Sequence, residues 1–293
     1  MQQDARTTSQ PSWAMYVKDI AASRTFYLEQ LGFRETATAL PETLVEIVGF
    51  NNDPILLVGS DAGDAAPYLA STHTVIKSGE FLPFYCQNLD AQRALWAERG
   101  LKVHETQTPL GEPALVVPDP DGHLLIFIAQ GQRTPEEIIE LYAQGPRLLQ
   151  ETLEGLTEQD LNLTKAPGEW SICQMVHHIS DGDDLWMRVA KAALTRPGCL
   201  YSHDWYTTDN ASADLLDYAG RAIEPAVQLY NANHAHIVQL VQHLPDALER
   251  YVMFIWPGQE PQRFTVRDIL YMQAGHAAMH CKDIQEIRQL HQK

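Results

Sequence analysis

The chain has 293 residues, 45% hydrophobic and 20% charged, with 17 glycines and 17 prolines. That length favours two domains of roughly 100–200 residues, and the composition excludes collagen-like and low-complexity chains. Lysine and arginine number 21 against 38 aspartates and glutamates, a net charge of −17, so phosphate backbones and anionic lipid are repelled and neither nucleic acid nor a membrane is an expected partner.

The opening MQQDARTTSQPSW lacks the apolar core of a secretory signal, and no run of about 18 apolar residues could span a bilayer. Cys86, Cys173, Cys199 and Cys281 are far apart with no CxxC. Reduced thiols and a cytoplasmic location are the expectation.

Residues 15–20 read as a short strand running into a helix start, followed by a helical stretch to Tyr27 and then Leu31-Gly32-Phe33. Residues 44–48 and 55–58 read as strands. The same phrase resumes at 82–90, with a helix over 91–96, Arg99-Gly100-Leu101, and strands at 114–117 and 124–127 separated by Asp119-Pro120-Asp121-Gly122-His123. This is an internal duplication and predicts an α+β domain of paired βαβββ units over residues 12–130.

A linker is expected at 131–134, because Thr134, Pro135 and Glu137 form a helix start with an N-cap, a first-turn proline and an acid at N3. Residues 135–293 then read as an all-α four-helix bundle. Its helices are expected at 135–156, 171–194, 213–244 and 265–291, with a long connection at 197–212 and an irregular stretch or short hairpin before the last helix.

Of 12 histidines, nine fall between His177 and His291. The apolar stripe of the last helix runs through Val266, Ile269, Leu270, Ala277, Ile284 and Ile287, and Gln273, His276 and His280 fall inside it. A buried unpaired polar group costs about 1–3 kcal/mol. Imidazoles four residues apart share a face and suit chelation of one ion. Core hydrogen bonds for each ring are the other reading of that spacing. On the second helix, His178 flanks the stripe of Ile172, Met175, Val176, Ile179, Trp186 and Ala190, whereas His177 points away and is expected at the surface. Three neutral histidines with open positions describe a catalytic-type divalent site.

Asp181, three residues after His178, is a possible outer-shell acceptor or an ordinary exposed acid. His203, in the run to Tyr206, is a possible substrate contact over the bundle mouth. His234 and His236 point in different directions, and Cys281 is expected to be a packed thiol.

Two resemblances follow from these motifs. Asp19-Ile20, Phe26-Tyr27…Leu31-Gly32-Phe33 and the Asp119–His123 turn resemble the vicinal oxygen chelate superfamily of glyoxalases, extradiol dioxygenases and bleomycin-resistance proteins, over about residues 12–130. The resemblance implies sheets curling round a pocket and a homodimer. The superfamily's metal-ligand positions correspond here to Ser12, Phe81 and Ile126, so the expectation is a metal-free, small-molecule-binding domain.

Gly168-Glu169-Trp170-Ser171, His178-Ile179-Ser180-Asp181 and His276-Ala277-Ala278-Met279-His280 resemble the DinB/YfiT-like superfamily, over about 135–293. That resemblance implies a divalent metal, zinc or nickel, held by His178, His276 and His280. It also implies a thiol-dependent transferase or a hydrolase acting on a small electrophile, with a low-molecular-weight thiol as a possible cosubstrate. The alternative is a non-catalytic ligand-sequestering or stress-resistance protein with a structural metal.

Overall fold

The alternating apolar runs of the first hundred and thirty residues fold as two copies of one substructure. The first copy is β1 (Trp13–Val17), α1 (Ile20–Arg24), β2 (Arg34–Glu35), β3 (Leu44–Val48) and β4 (Pro54–Gly59). After β5 (Thr74–Ile76), the second is β6 (Phe81–Cys86), α2 (Leu89–Glu98), β7 (His104–Gln107), β8 (Pro113–Pro118) and β9 (Leu124–Ala129). The computed structural model describes residues 10–36, 40–50, 54–70, 73–86, 88–129, 133–203, 205, 208–256 and 261–293. It divides into two compact units, with the break between Gln132 and Arg133. Half of the expected linker, residues 131–132, lies outside the described residues.

The strand orders match: β2-β3-β4-β1, with β5 added beside β1, and β7-β8-β9-β6. In each copy the first strand pairs parallel with the last, and the register repeats, Ala14 opposite Leu56 and Pro83 opposite Ile126. Both helices start on side-chain caps, since Asp19 accepts from the amides of Ala21 and Ala22, and Asn88 from that of Ala91. The expected first helix widens into a π-helix at Thr25–Leu31, whose longer turns carry Phe26, Tyr27 and Leu31 into the core. One cluster spans both copies, including Met15, Tyr27, Ile55, Leu57, Phe84, Trp96, Leu125 and Phe127.

The Asp119 turn joins the copies chemically as well. Asp119 is buried and accepts from the amides of Asp121 and His123, from Tyr27 Oη at 2.7 Å, and pairs with His123 Nδ1 at 2.8 Å. Burial alone would raise its pKa, but the hydrogen bonds from His123 and Tyr27 outweigh it and hold the carboxyl below its ordinary value.

The second unit is a bundle of α3 (Pro135–Ala143) with α4 (Gly145–Leu153), α5 (Ile172–Thr195), α7 (Glu224–His243) and α8 (Val266–Leu290). Capping boxes at Thr134/Glu137, Ser171/Gln174 and Thr265/Asp268 start α3, α5 and α8. The long connection carries β10 (Leu200–Ser202) and α6 (Asp209–Leu215), and the stretch before α8 is a hairpin of β11 (Tyr251–Ile255) and β12 (Gln262–Thr265), with β10 parallel to β11.

Two expected helices differ in their limits. The first breaks at Gly145-Pro146, where the proline has no amide to continue the ladder. A Cβ on Gly145 would sit 2.5 Å from Tyr230 Oη and 2.6 Å from His234 Cε1, so the break also lets α4 approach α7 closely. The third does not run from 213 to 244. It stops after Leu215, turns through Asp217 at a left-handed φ of 49°, and restarts at Glu224-Pro225. No described helix is long and apolar enough to cross a membrane.

Candidate metal centre

Helices α5 and α8 pack against each other, and their registers decide what meets at the contact. His178 lies two turns into α5, while His276 and His280 are one turn apart on α8. One nitrogen from each ring can be chosen so that all three lie within 4.8 Å of one another. His178 Nε2 and His276 Nε2 are 2.8 Å apart, and the ring centroids stand 4.7, 5.0 and 4.8 Å from each other. Gly182, one turn beyond His178, makes room: a Cβ there would lie 3.3 Å from His276 Cε1. Trp170, just before the α5 cap, walls the cluster with its ring 4.7 Å from that of His178 and 6.4 Å from that of His280.

The electrostatics suit cation binding. Burial, aided by the neighbouring His280 ring, pushes His178 down to about 4, and burial followed by repulsion from His280 and His178 puts His276 well below 6.5. Both rings are therefore neutral at pH 7, as ligand imidazoles must be. Among the described residues the buried Nδ1 of His276 has no hydrogen-bond partner, and that of His280 meets only the Asp283 carboxylate, at 3.4 Å, which argues against the reading in which each imidazole is a satisfied core residue. Imidazole donors accept zinc, nickel, copper and iron alike. His178, His276 and His280 could together hold one such ion.

The other sequence-nominated residues are spread out. Gln273 is buried on α8, one turn before His276. Asp181 is half-buried one turn past His178; its charge acts on that ring without a hydrogen bond to it. His203 is not with the triad. It is packed among Trp186, Tyr201, Phe254 and Trp205, 5.2–5.9 Å between ring centroids, and burial lowers its pKa. Its neighbours Asp204 and Tyr206 lie outside the described residues. Cys281 is a packed thiol, its pKa raised by burial to about 11.

His177 corrects an expectation. It is fully buried, not at the surface, because the turn between α6 and α7 covers that face of α5. Its ring stacks on Tyr218, and its nitrogens lie 3.3 Å from the Arg221 carbonyl and guanidinium.

Two further polar groups escaped the sequence reading. Asp283 Oδ2 lies 3.4 Å from His280 Nδ1, and its other oxygen lies 2.6 Å from Lys165 Nζ. Its position three residues after His280 was the available signal. Deeper in the bundle, Tyr142 donates to Asp183, whose carboxylate is 3.3 Å from His234 Nε2, all three side chains buried. That cluster joins residues 41 to 92 positions apart, and nothing local announces it.

Family models match both units. Residues 141–284 match the DinB superfamily, and residues 10–127 the Glyoxalase/Bleomycin resistance protein/Dioxygenase superfamily. A protein of Geobacillus thermodenitrificans named "Putative metal-dependent hydrolase" is 24% identical over 169 residues, 55% of this chain and 90% of its own. Among solved structures, YfiT from Bacillus subtilis is 19% identical, with 55% of this chain and 91% of that one covered at a TM-score of 0.48. Lactoylglutathione lyase from Agrobacterium tumefaciens is 22% identical, with 40% and 90% covered at a TM-score of 0.33. The chain is thus a fusion of a glyoxalase/bleomycin-resistance-type domain with a DinB-type bundle.

Proposed function

We propose that the bundle is the working part of a metal-dependent enzyme, a hydrolase or a thiol-dependent transferase acting on a small electrophilic molecule. The observation that carries this reading is the convergence of three imidazoles from α5 and α8. His178, His276 and His280 would hold the ion, with zinc or nickel as the metal. A divalent ion there supplies Lewis acidity, which makes a nucleophile of water or a thiol near neutral pH. Trp170 limits water on one side of the cluster, and Gly182 keeps α5 close enough for His276 to face His178.

Elemental analysis of the purified full chain tests the site. One zinc or nickel per chain, lost in His276→Ala/His280→Ala, supports it; no uptake after reconstitution defeats it. A screen of electrophiles with and without low-molecular-weight thiols then separates transferase from hydrolase.

The first domain we read as a metal-free module for a small apolar ligand. The face centred on Ile126 supports this: Phe81 and Tyr85 are 55% and 45% exposed, and Leu124, Ile126 and Ile128 are half-buried beside them. Turnover that needs the three histidines favours an enzyme. Ligand binding by this face without any turnover favours a sequestering protein.

A further inference from the structure

The three imidazoles are not equivalent in what stands behind them. His276 Nδ1 is buried with no acceptor, and no hydrogen bond joins His178 to Asp181. Asp209 and Asp181 act on His178 through their charge, whereas His280 has a carboxylate directly at its back, Asp283 Oδ2, 3.4 Å from Nδ1. That carboxylate is itself held. Lys165 reaches from the loop before α5 to Asp283 Oδ1 at 2.6 Å and to Glu286 Oε2 at 2.7 Å, bridging two acids one turn apart on α8. The same loop is tied to the residues just past α8 by His291 against the Thr164 carbonyl at 3.0 Å and by Lys293 against Asp160 at 3.0 Å, and it ends in Trp170 against His178.

We propose that Asp283, fixed by Lys165, is the positioning residue of the metal centre. It takes the Nδ1 proton of His280, so that the Nε2 lone pair is the one presented to the ion. An imidazole can offer a metal only one nitrogen, and the partner of the other decides which. Neither Asp283 nor Lys165 is a ligand, and the inference rests on the three-histidine reading above. Glu286 shares Lys165 but has no contact with His280, which makes it the internal control.

Zinc affinity of the full chain, measured by competition with a chromogenic chelator, tests this. Asp283→Asn is expected to weaken binding by about 10–100-fold with the metal-free melting temperature unchanged. Glu286→Gln should stay within about twofold, as for an exposed ion pair. Asp283→Glu should recover part of the loss, which a purely structural role would not give. On the unaltered metal-free protein, long-range proton–nitrogen NMR should find His280 as the Nδ1–H tautomer. An Nε2–H tautomer, or equal zinc affinity in Asp283→Asn and the unaltered chain, overturns the proposal. Failure of the unaltered chain to bind zinc or nickel overturns the three-histidine reading and this inference with it. Zinc binding by the unaltered chain with no effect of Asp283→Asn overturns this inference alone.

Discussion

On the first domain's second sheet, the surface around Ile126 is open and apolar; in the bundle, the contact of α5 with α8 is narrow and lined by imidazoles. The contrast recurs inside the duplication. Ala14, Leu56 and Val58 occupy the positions of Pro83, Ile126 and Ile128, yet they are covered by Ala65 and Leu69 of the segment after β4. Among the described residues their counterparts have no such cover in their own copy, and Phe81 and Tyr85 stand exposed. Two copies of one fold therefore differ in whether the chain fills its own sheet face. An apolar surface can be closed by a few more apolar residues, whereas a cluster of buried imidazoles is satisfied only by a proton, a hydrogen-bond partner or a cation.

Removing donors should break that contrast most completely: His276→Ala/His280→Ala should abolish stoichiometric zinc or nickel binding while leaving the first domain's unfolding transition in place, as calorimetry would report. Acid should come next. In metal-free protein, His178 takes up a proton at about 4 when folded and at 6.5 when unfolded. Its contribution is then intact above pH 6.5 and lost as the pH falls to 4, by up to about 3 kcal/mol. Urea titrations of the bundle should follow that slope, and a flat profile between pH 6.5 and 4 would refute the buried neutral ring.

Uncovering the filled face should cost nearly as much. Leu69→Ala removes a side chain that is 5% exposed, for a loss of about 2–3 kcal/mol and a gain in hydrophobic-dye binding. Gly182→Ala should change metal-free stability by no more than about 1 kcal/mol, the gain in helix propensity offsetting the crowding of His276, yet weaken zinc binding measurably. Smallest of all, Phe81→Ser with Tyr85→Ser should shift stability by about 0.5 kcal/mol or less and lower dye binding, the reverse of Leu69→Ala.

Periodicity was enough to bring His178, His276 and His280 together, because helix faces repeat on a known angle and both partner helices are long, 24 and 25 residues. The duplication was legible for a similar reason: strand, helix and turn signals recur at a nearly constant offset. His177 was misplaced because periodicity locates a residue on a face without saying what covers it, and here the cover is a turn around Tyr218 and Arg221. The break after Leu215 hid in a pattern that stays apolar at helical spacing on both sides of it. Lys165 and the Asp183–His234 pair depend on contacts between distant segments, which no local pattern carries.

The parallel pairing of β6 with β9 has a temporal consequence. A strand of the second copy must wait for its partner, since Phe81 pairs with Leu124 and Cys86 with Ala129. During synthesis this sheet cannot close until the chain has been made through Ala129, and Tyr27, made about a hundred residues earlier, gains Asp119 only as that happens. At the ordinary pace of about 5–20 residues per second, the first copy spends several seconds with half of its shared core missing. A nascent chain arrested shortly before residue 124 should be protease-sensitive throughout, and one arrested with residue 129 clear of the ribosome should be protected from Trp13 onward.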